Sequence, residues 1–125
     1  MQRGIPDQLI KLQLQRSDRK LRDTLLESID ETLAALLSPE VAKALYLNLQ
    51  TGHSISRDDV SFKLETVCSV LEKIFGIRGS STIGKAIARK FYAKLGLAFF
   101  DNPGRTLIEY VEDAKIKVAN GEGQL

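Results

Sequence analysis

Gly79-Ser80-Ser81-Thr82-Ile83-Gly84-Lys85 satisfies the G-x-x-x-x-G-K part of a phosphate-binding loop. In such a loop, backbone N–H groups and the lysine ammonium surround phosphate oxygens, and a Ser or Thr hydroxyl directly after the lysine binds magnesium. Here that position is Ala86, which has no oxygen to offer. The preceding VCSVLEKIFG also reads as helix, whereas a phosphate loop follows a buried strand, and no later strand supplies a magnesium aspartate. The stretch is therefore read as a helix start, with Gly84 as a small residue for close packing. Nucleotide hydrolysis is not expected, and only the weak anion attraction common to helix N-termini remains.

A second pattern overlaps the first. Residues 1–76 carry ten basic and eleven acidic side chains, residues 101–125 carry three and five, and the whole positive surplus falls in between. There Arg78, Lys85, Arg89, Lys90 and Lys94 meet no acidic residue within the segment. At about 100° per residue, Lys85 and Arg89 lie opposite the face of Ile83, Ile87 and Phe91, while Lys90 and Lys94 flank it on the other side. The charges wrap the helix instead of forming one stripe. Three readings follow: a solvated face, phosphate contacts to a nucleic acid, which need no base-reading signature, or a protein-binding face. Ala86 and Ala93 lie between the cations, where small residues allow another helix to approach.

The remaining candidates have plain explanations. His53 stands alone in a polar connector, without the further histidines or cysteines a metal would need. Asp58 and Asp59 suit a helix start better than paired carboxylate chemistry. Cys68 falls in an apolar helical pattern with no nearby Lys, Arg or His in sequence to lower its pKa, so it reads as a small buried hydrophobe. Glu109, Glu112 and Asp113 form an acidic patch, but Lys117 offers Asp113 a partner one turn on. Tyr46, Tyr92 and Tyr110 are expected half-buried, their hydroxyls reaching solvent or a backbone partner. No acid–base pair, triad, metal set or cofactor fingerprint emerges, so an enzyme is not expected.

The elements that would carry these residues follow from apolar spacing. Residues 7–15 are ambiguous, because Ile10, Leu12 and Leu14 alternate as in a strand. Leu21, Leu25, Ile29, Leu33 and Leu36 then recur at helical steps. The two pieces are either separate or one rod of about 45 Å. Ser38 and Pro39 cap a helix that buries Val41, Ala42, Leu45 and Leu49 and ends near Gly52. After the connector GHSISRDDVS, a helix through Phe62, Leu64, Val67, Leu71, Ile74 and Phe75 stops at Gly76. The central helix starts after Gly79, capped by Ser80, Ser81 or Thr82, and stops at Gly96. Leu97, Phe99 and Phe100 form an apolar anchor before the DNPG turn, and a last helix runs from about Arg105 to Ala119. The expectation is an all-α, compact bundle of five or six helices in a single domain, residues 1–125, with 1–16 as a separate or projecting segment and 120–125 as a flexible tail.

At 125 residues and 43% apolar, the chain can build one core, and a partner copy would add to it. No apolar run reaches the roughly 18 residues needed to cross a bilayer. The start lacks the layout of a secretory signal, and a lone cysteine forms no internal disulfide. A cytoplasmic location, with no membrane contact, is the expectation.

Residues 37–97 carry an Ala44-Leu45-Tyr46 helix, an ending Ile74-Phe75-Gly76, and a helix closing on Lys94-Leu95-Gly96. In these features the chain resembles the small helical output domain of archaeal signalling proteins, the Nitrosopumilus output domain type. The resemblance covers about half the chain and implies a regulatory role as the effector part of a receptor or response protein. It carries no catalytic residues, and no sensory domain accompanies it here. The resulting expectation is a signal-output, protein–protein interaction domain without catalytic activity or cofactor, acting as a homodimer. Its helix around Leu21 to Leu37 would serve either the core or the dimer seam. The competing expectation is a nucleic-acid-binding helical protein using Arg78, Lys85, Arg89, Lys90 and Lys94.

Overall fold

The computed structural model describes the backbone of residues 7–124 and the side chains of residues 18–124. The chain forms α1 (Asp7–Leu36), α2 (Pro39–His53), a 3₁₀ turn (Arg57–Phe62), α3 (Leu64–Leu95) and α4 (Leu107–Ala119). The all-α expectation is met, with no strand among the described residues. Residues 1–6, part of the expected projecting segment, lie outside the described residues. From Asp7 onward the backbone is a single helix, so the alternation of Ile10, Leu12 and Leu14 does not produce a strand. Thirty residues at about 1.5 Å each give a rod of about 45 Å.

α3 is the centre of the bundle, packing on α1 on one side and α4 on the other. Leu21, Leu25, Ile29 and Leu33 of α1 are buried, as are Ile83, Ile87, Phe91 and Leu95 of α3 and Leu107, Tyr110, Val111 and Ala114 of α4. The apolar face of α1 from Leu21 to Leu33 therefore serves the chain's own core and is not left open as a dimer seam. Leu45 and Leu49 anchor α2, whereas Val41, expected inside, is exposed. Val41 lies at the border of the Leu45/Leu49 face, and α2 rests only lightly on α1 and α3.

The Ser38–Pro39 start forms as read. The Val41 N–H donates to Ser38 Oγ at 3.2 Å, with proline in the first turn. The helix runs through Gly52 to His53 before Ser54 ends it in the left-handed region at φ 56°. Within the polar connector, Ile55 and Val60 enter the core, so this segment is held by burial as well as by its turn. Ser56 Oγ donates to the Asp59 carboxylate at 2.8 Å instead of capping a backbone amide. Asp30 of α1 accepts hydrogen bonds from the Tyr46 hydroxyl of α2 and the Arg57 guanidinium of the 3₁₀ turn. One carboxylate thereby fastens three elements. Burial and the Asp30 charge together push the Tyr46 hydroxyl pKa well above its ordinary value.

α1 also carries a local defect. Thr24 and Ser28 each donate to the carbonyl four residues back, at 2.7 Å, but the buried Thr32 Oγ1 has no partner. An unpaired hydroxyl in the core costs free energy that an apolar group of the same shape does not. Thr32→Val is therefore expected to stabilise the chain by about 1 kcal/mol, read as a higher urea midpoint at unchanged m-value.

The largest departure from the sequence expectation lies in α3. Gly76 takes φ 78° and ψ 174°, a conformation essentially reserved for glycine, and breaks α3 into arms 64–75 and 77–95. The second arm resumes at Ile77, so Gly79 is not its start, and Ser80, Ser81 and Thr82 sit inside the helix instead of capping it. Gly79 is small because Phe75 crowds it: a Cβ there would lie 2.8 Å from the Phe75 Cβ. Gly96 does end the helix, at φ 71°. After it, Leu97 and Phe99 are half-buried but Phe100 is 71% exposed, so only part of the expected apolar anchor is inside. α4 begins two residues later than expected. Thr106 accepts from the Glu109 N–H at 3.2 Å, and the Glu109 carboxylate accepts from the Thr106 N–H at 2.9 Å. This capping box holds the Glu109 carboxyl below its usual range. In the segment read as a tail, the Gln124 N–H donates to the Leu95 carbonyl at 2.6 Å.

Candidate functional site

The phosphate-loop pattern is not a loop. Residues 79–85 are helical, and Gly84 is buried with Leu107 of α4 against it: an added Cβ would stand 3.4 Å from the Leu107 Cβ. Glycine at this position sets how closely α3 and α4 approach. The amides that a phosphate loop would turn towards its ligand are here part of a helix.

The basic residues of the second arm separate into groups, each meeting acids from elsewhere in the chain. Lys85 Nζ is 2.9 Å from Asp101, and Arg89 lies 3.9 Å from the same carboxylate and over the ring of Phe99. On the other side, Lys90 reaches Glu31 at 3.4 Å, and Lys94 reaches Glu31 at 2.8 Å and Glu27 at 3.6 Å. The hydrogen bond from Lys94 holds the Glu31 carboxyl below its usual range, and the same bond raises the Lys94 pKa. Exposed pairs of this kind add little stability individually. Together they join α1 to α3 and bring carboxylates up to the local positive charge. Arg78, beside the break, has no acid within 4.0 Å among the described residues.

Tyr46 is half-buried as expected, whereas Tyr92 and Tyr110 are more deeply placed. Tyr92 and Tyr110 are each 2% exposed, with Phe99 packed against both rings. The Tyr92 hydroxyl donates to the Tyr110 carbonyl at 2.8 Å, and Asp113 Oδ2 lies 3.2 Å from it. Tyr110 receives the Asn102 N–H at 2.9 Å and donates to the Asn102 carbonyl at 3.2 Å, which pins the DNPG turn to α4. Asp113 is flanked by Lys117 at 3.3 Å, the pairing read from the sequence, and by Arg105 at 3.5 Å. Burial first, and then the Asp113 charge, pushes the Tyr92 hydroxyl pKa up to about 12. This network is tied to backbone and opposite charges, and of its members Arg105 also lines a groove beside α4.

No family model, curated protein or solved structure matches the chain. Its chemistry must therefore be read from its own surface. Among the described residues no three His, Cys, Asp or Glu side chains group as a metal site. His53 is exposed, and Cys68 is half-buried, its thiol pKa raised by burial and by Glu72. No helix of the described residues is long and apolar enough to cross a membrane.

One surface feature was not recognised from the sequence. Ile77, Gly84 and Phe91 are seven apart and so share a row on the second arm of α3. Gly84 and Phe91 lie inside, but Ile77 is 75% exposed, and Ile74 on the other side of the break is 49% exposed. The core row thus runs out from beneath α4 at its N-terminal end. Beside it lies a groove of about 230 Å³ with Cys68, Leu71, Ser81, Gly84 and Leu107 in its walls. A shallower hollow on the far side of the break shares Glu72 and Ile77 with it. Helical spacing placed these apolar residues on a helix, but it could not tell which end of the row α4 leaves uncovered.

Proposed function

We propose that this chain is a non-catalytic regulatory domain of the cytoplasm, acting as a signal-output module by binding protein. The observation that carries this reading is the uncovered end of the core row at Ile77, which is 75% exposed and lines a groove with Cys68, Leu71 and Leu107. Exposed apolar surface next to a concave wall is the usual mark of a protein contact. The likeness of residues 37–97 to archaeal signalling output domains points the same way. With the α1 face from Leu21 to Leu33 already used in the core, this other surface is the one open to a protein partner.

The competing reading, nucleic-acid binding, draws on the same arm. Its cations Lys85, Arg89, Lys90 and Lys94 already meet Asp101, Glu31 and Glu27, and a phosphate backbone would have to displace those carboxylates. Sedimentation velocity over a concentration series, with and without a fluorescent random-sequence duplex at low and near-physiological salt, separates the two. The duplex is expected to sediment unshifted at both salts. Co-sedimentation released by added salt would replace the protein-binding reading with a phosphate-binding one.

A further inference from the structure

The groove at the α3 break has a charge as well as a shape. Lys73 lies in the hollow wall beside Glu72, and Lys85 and Arg105 line the main groove. Arg78 follows Ile77 in the chain and falls within about 20° of Lys85 around the helix, so the two stand in one row along the groove's edge. Lys85 and Arg105 are themselves met by carboxylates, so the unopposed charge at the groove is that of Lys73 and Arg78. Glu72 is in the groove, Asp101 is shared by Lys85 and Arg89, and Asp113 is shared by Arg105 and Lys117. Glu109 is engaged by the Thr106 amide. Neither Lys73 nor Arg78 has an acid within 4.0 Å among the described residues.

From this apolar wall with a basic margin, we propose that the groove at the α3 break binds an acidic amphipathic helical segment of another protein, Ile77, Leu71 and Leu107 receiving its apolar side chains. This deepens the protein-binding reading above and rests on it. The charge argues against a second copy as occupant, because two copies meeting through this face would bring the unopposed Lys73 and Arg78 groups together. An acidic helix instead answers these two cations and covers the exposed Ile77 in the helix-in-groove manner.

The test is a selection of random peptides of about 16 residues, some four helical turns, against the 125-residue chain. Selected peptides are then synthesised and titrated by fluorescence anisotropy. Enrichment of Asp and Glu together with Leu, Ile or Phe at helical spacing is expected. Ile77→Asp should weaken these peptides roughly tenfold or more, as expected for a central apolar contact. Arg78→Glu should weaken them less, and their affinity should fall as salt rises from about 50 to 300 mM. Ile77 is so exposed that its substitution is expected to leave the fold intact, and thermal melts check this. Ser81→Glu, at an exposed wall position, gives an independent block.

Basic or neutral peptides, or acidic peptides indifferent to both Ile77→Asp and Ser81→Glu, would overturn the assignment of this groove while leaving a protein-binding domain in place. A dimer of the chain alone that Ile77→Asp converts to monomer would give the groove to a second copy and overturn the proposal in that way. Failure to enrich any peptide overturns it too, and if the duplex also co-sediments, the protein-binding reading falls with it.

Discussion

Phe91→Ala is expected to destabilise the chain by about 3–5 kcal/mol, the range for removing a buried aromatic ring. The ring is 1% exposed on the second arm of α3, where α1 and α4 approach from two sides. It also borders an open surface hollow of about 280 Å³ with Leu21 and Leu25 of α1 and Phe62 of the 3₁₀ turn. Domains of this size are stable by about 5–15 kcal/mol, and the variant would lose a large part of that. Urea unfolding followed by circular dichroism is the measurement. A loss below about 1 kcal/mol would mean that α1 and α3 do not meet as described.

The second large effect is a dependence on alkaline pH. The Tyr92 hydroxyl has its pKa pushed up from 10.0 to about 12 in the folded chain, by burial and by the neighbouring Asp113. Above pH 10 the unfolded chain gives up this proton while the folded chain keeps it, so the unfolded state is favoured. Tyr92 therefore contributes stability that is fully present below about pH 10 and lost as pH rises towards 12, on the order of 2 kcal/mol. Tyr46, raised for similar reasons, acts in the same direction. The separating experiment compares the chain with Tyr92→Phe from pH 9 to 12 by denaturant melts, with tyrosinate absorbance followed in parallel. The variant should lose stability less steeply in this window. Equal slopes would show that the Tyr92 hydroxyl titrates normally in the fold.

The legible parts of this fold were those set by residues close in sequence. Helical spacing found Leu21, Leu25, Ile29 and Leu33, and again Ile83, Ile87, Phe91 and Leu95, because one face of each helix meets the core. Ser38 before Pro39, and Gly96 after Leu95, marked boundaries through local hydrogen bonding and φ. Gly76 and Gly79 were harder. Both are glycines in a helical stretch, but one provides a backbone conformation and the other provides room for Phe75. Spacing alone does not separate these roles. The basic segment was misleading for a different reason: its acids lie outside it, Asp101 just after and Glu27 and Glu31 some sixty residues upstream, and only tertiary packing reveals the pairing. The uncovered row at Ile77 was likewise invisible, since it depends on where α4 begins on its neighbour.

The one-residue joint at Gly76 also bears on how the chain can change in length. Val67, Val70 and Leu71 lock the arm before it into the core, and Ile83 through Leu95 lock the arm after it, so the joint has no slack. One inserted residue adds up to about 3.5 Å of chain and redirects whichever arm gives way, drawing a buried row towards water. The connector 97–106 can lengthen at its exposed Pro103–Gly104 tip for the loss of one turn hydrogen bond, Arg105 N–H to the Asn102 carbonyl, without moving a buried row. Insertions and deletions should therefore be accepted more readily at that tip than at the joint, which makes the two arms of α3 a single unit of fixed length.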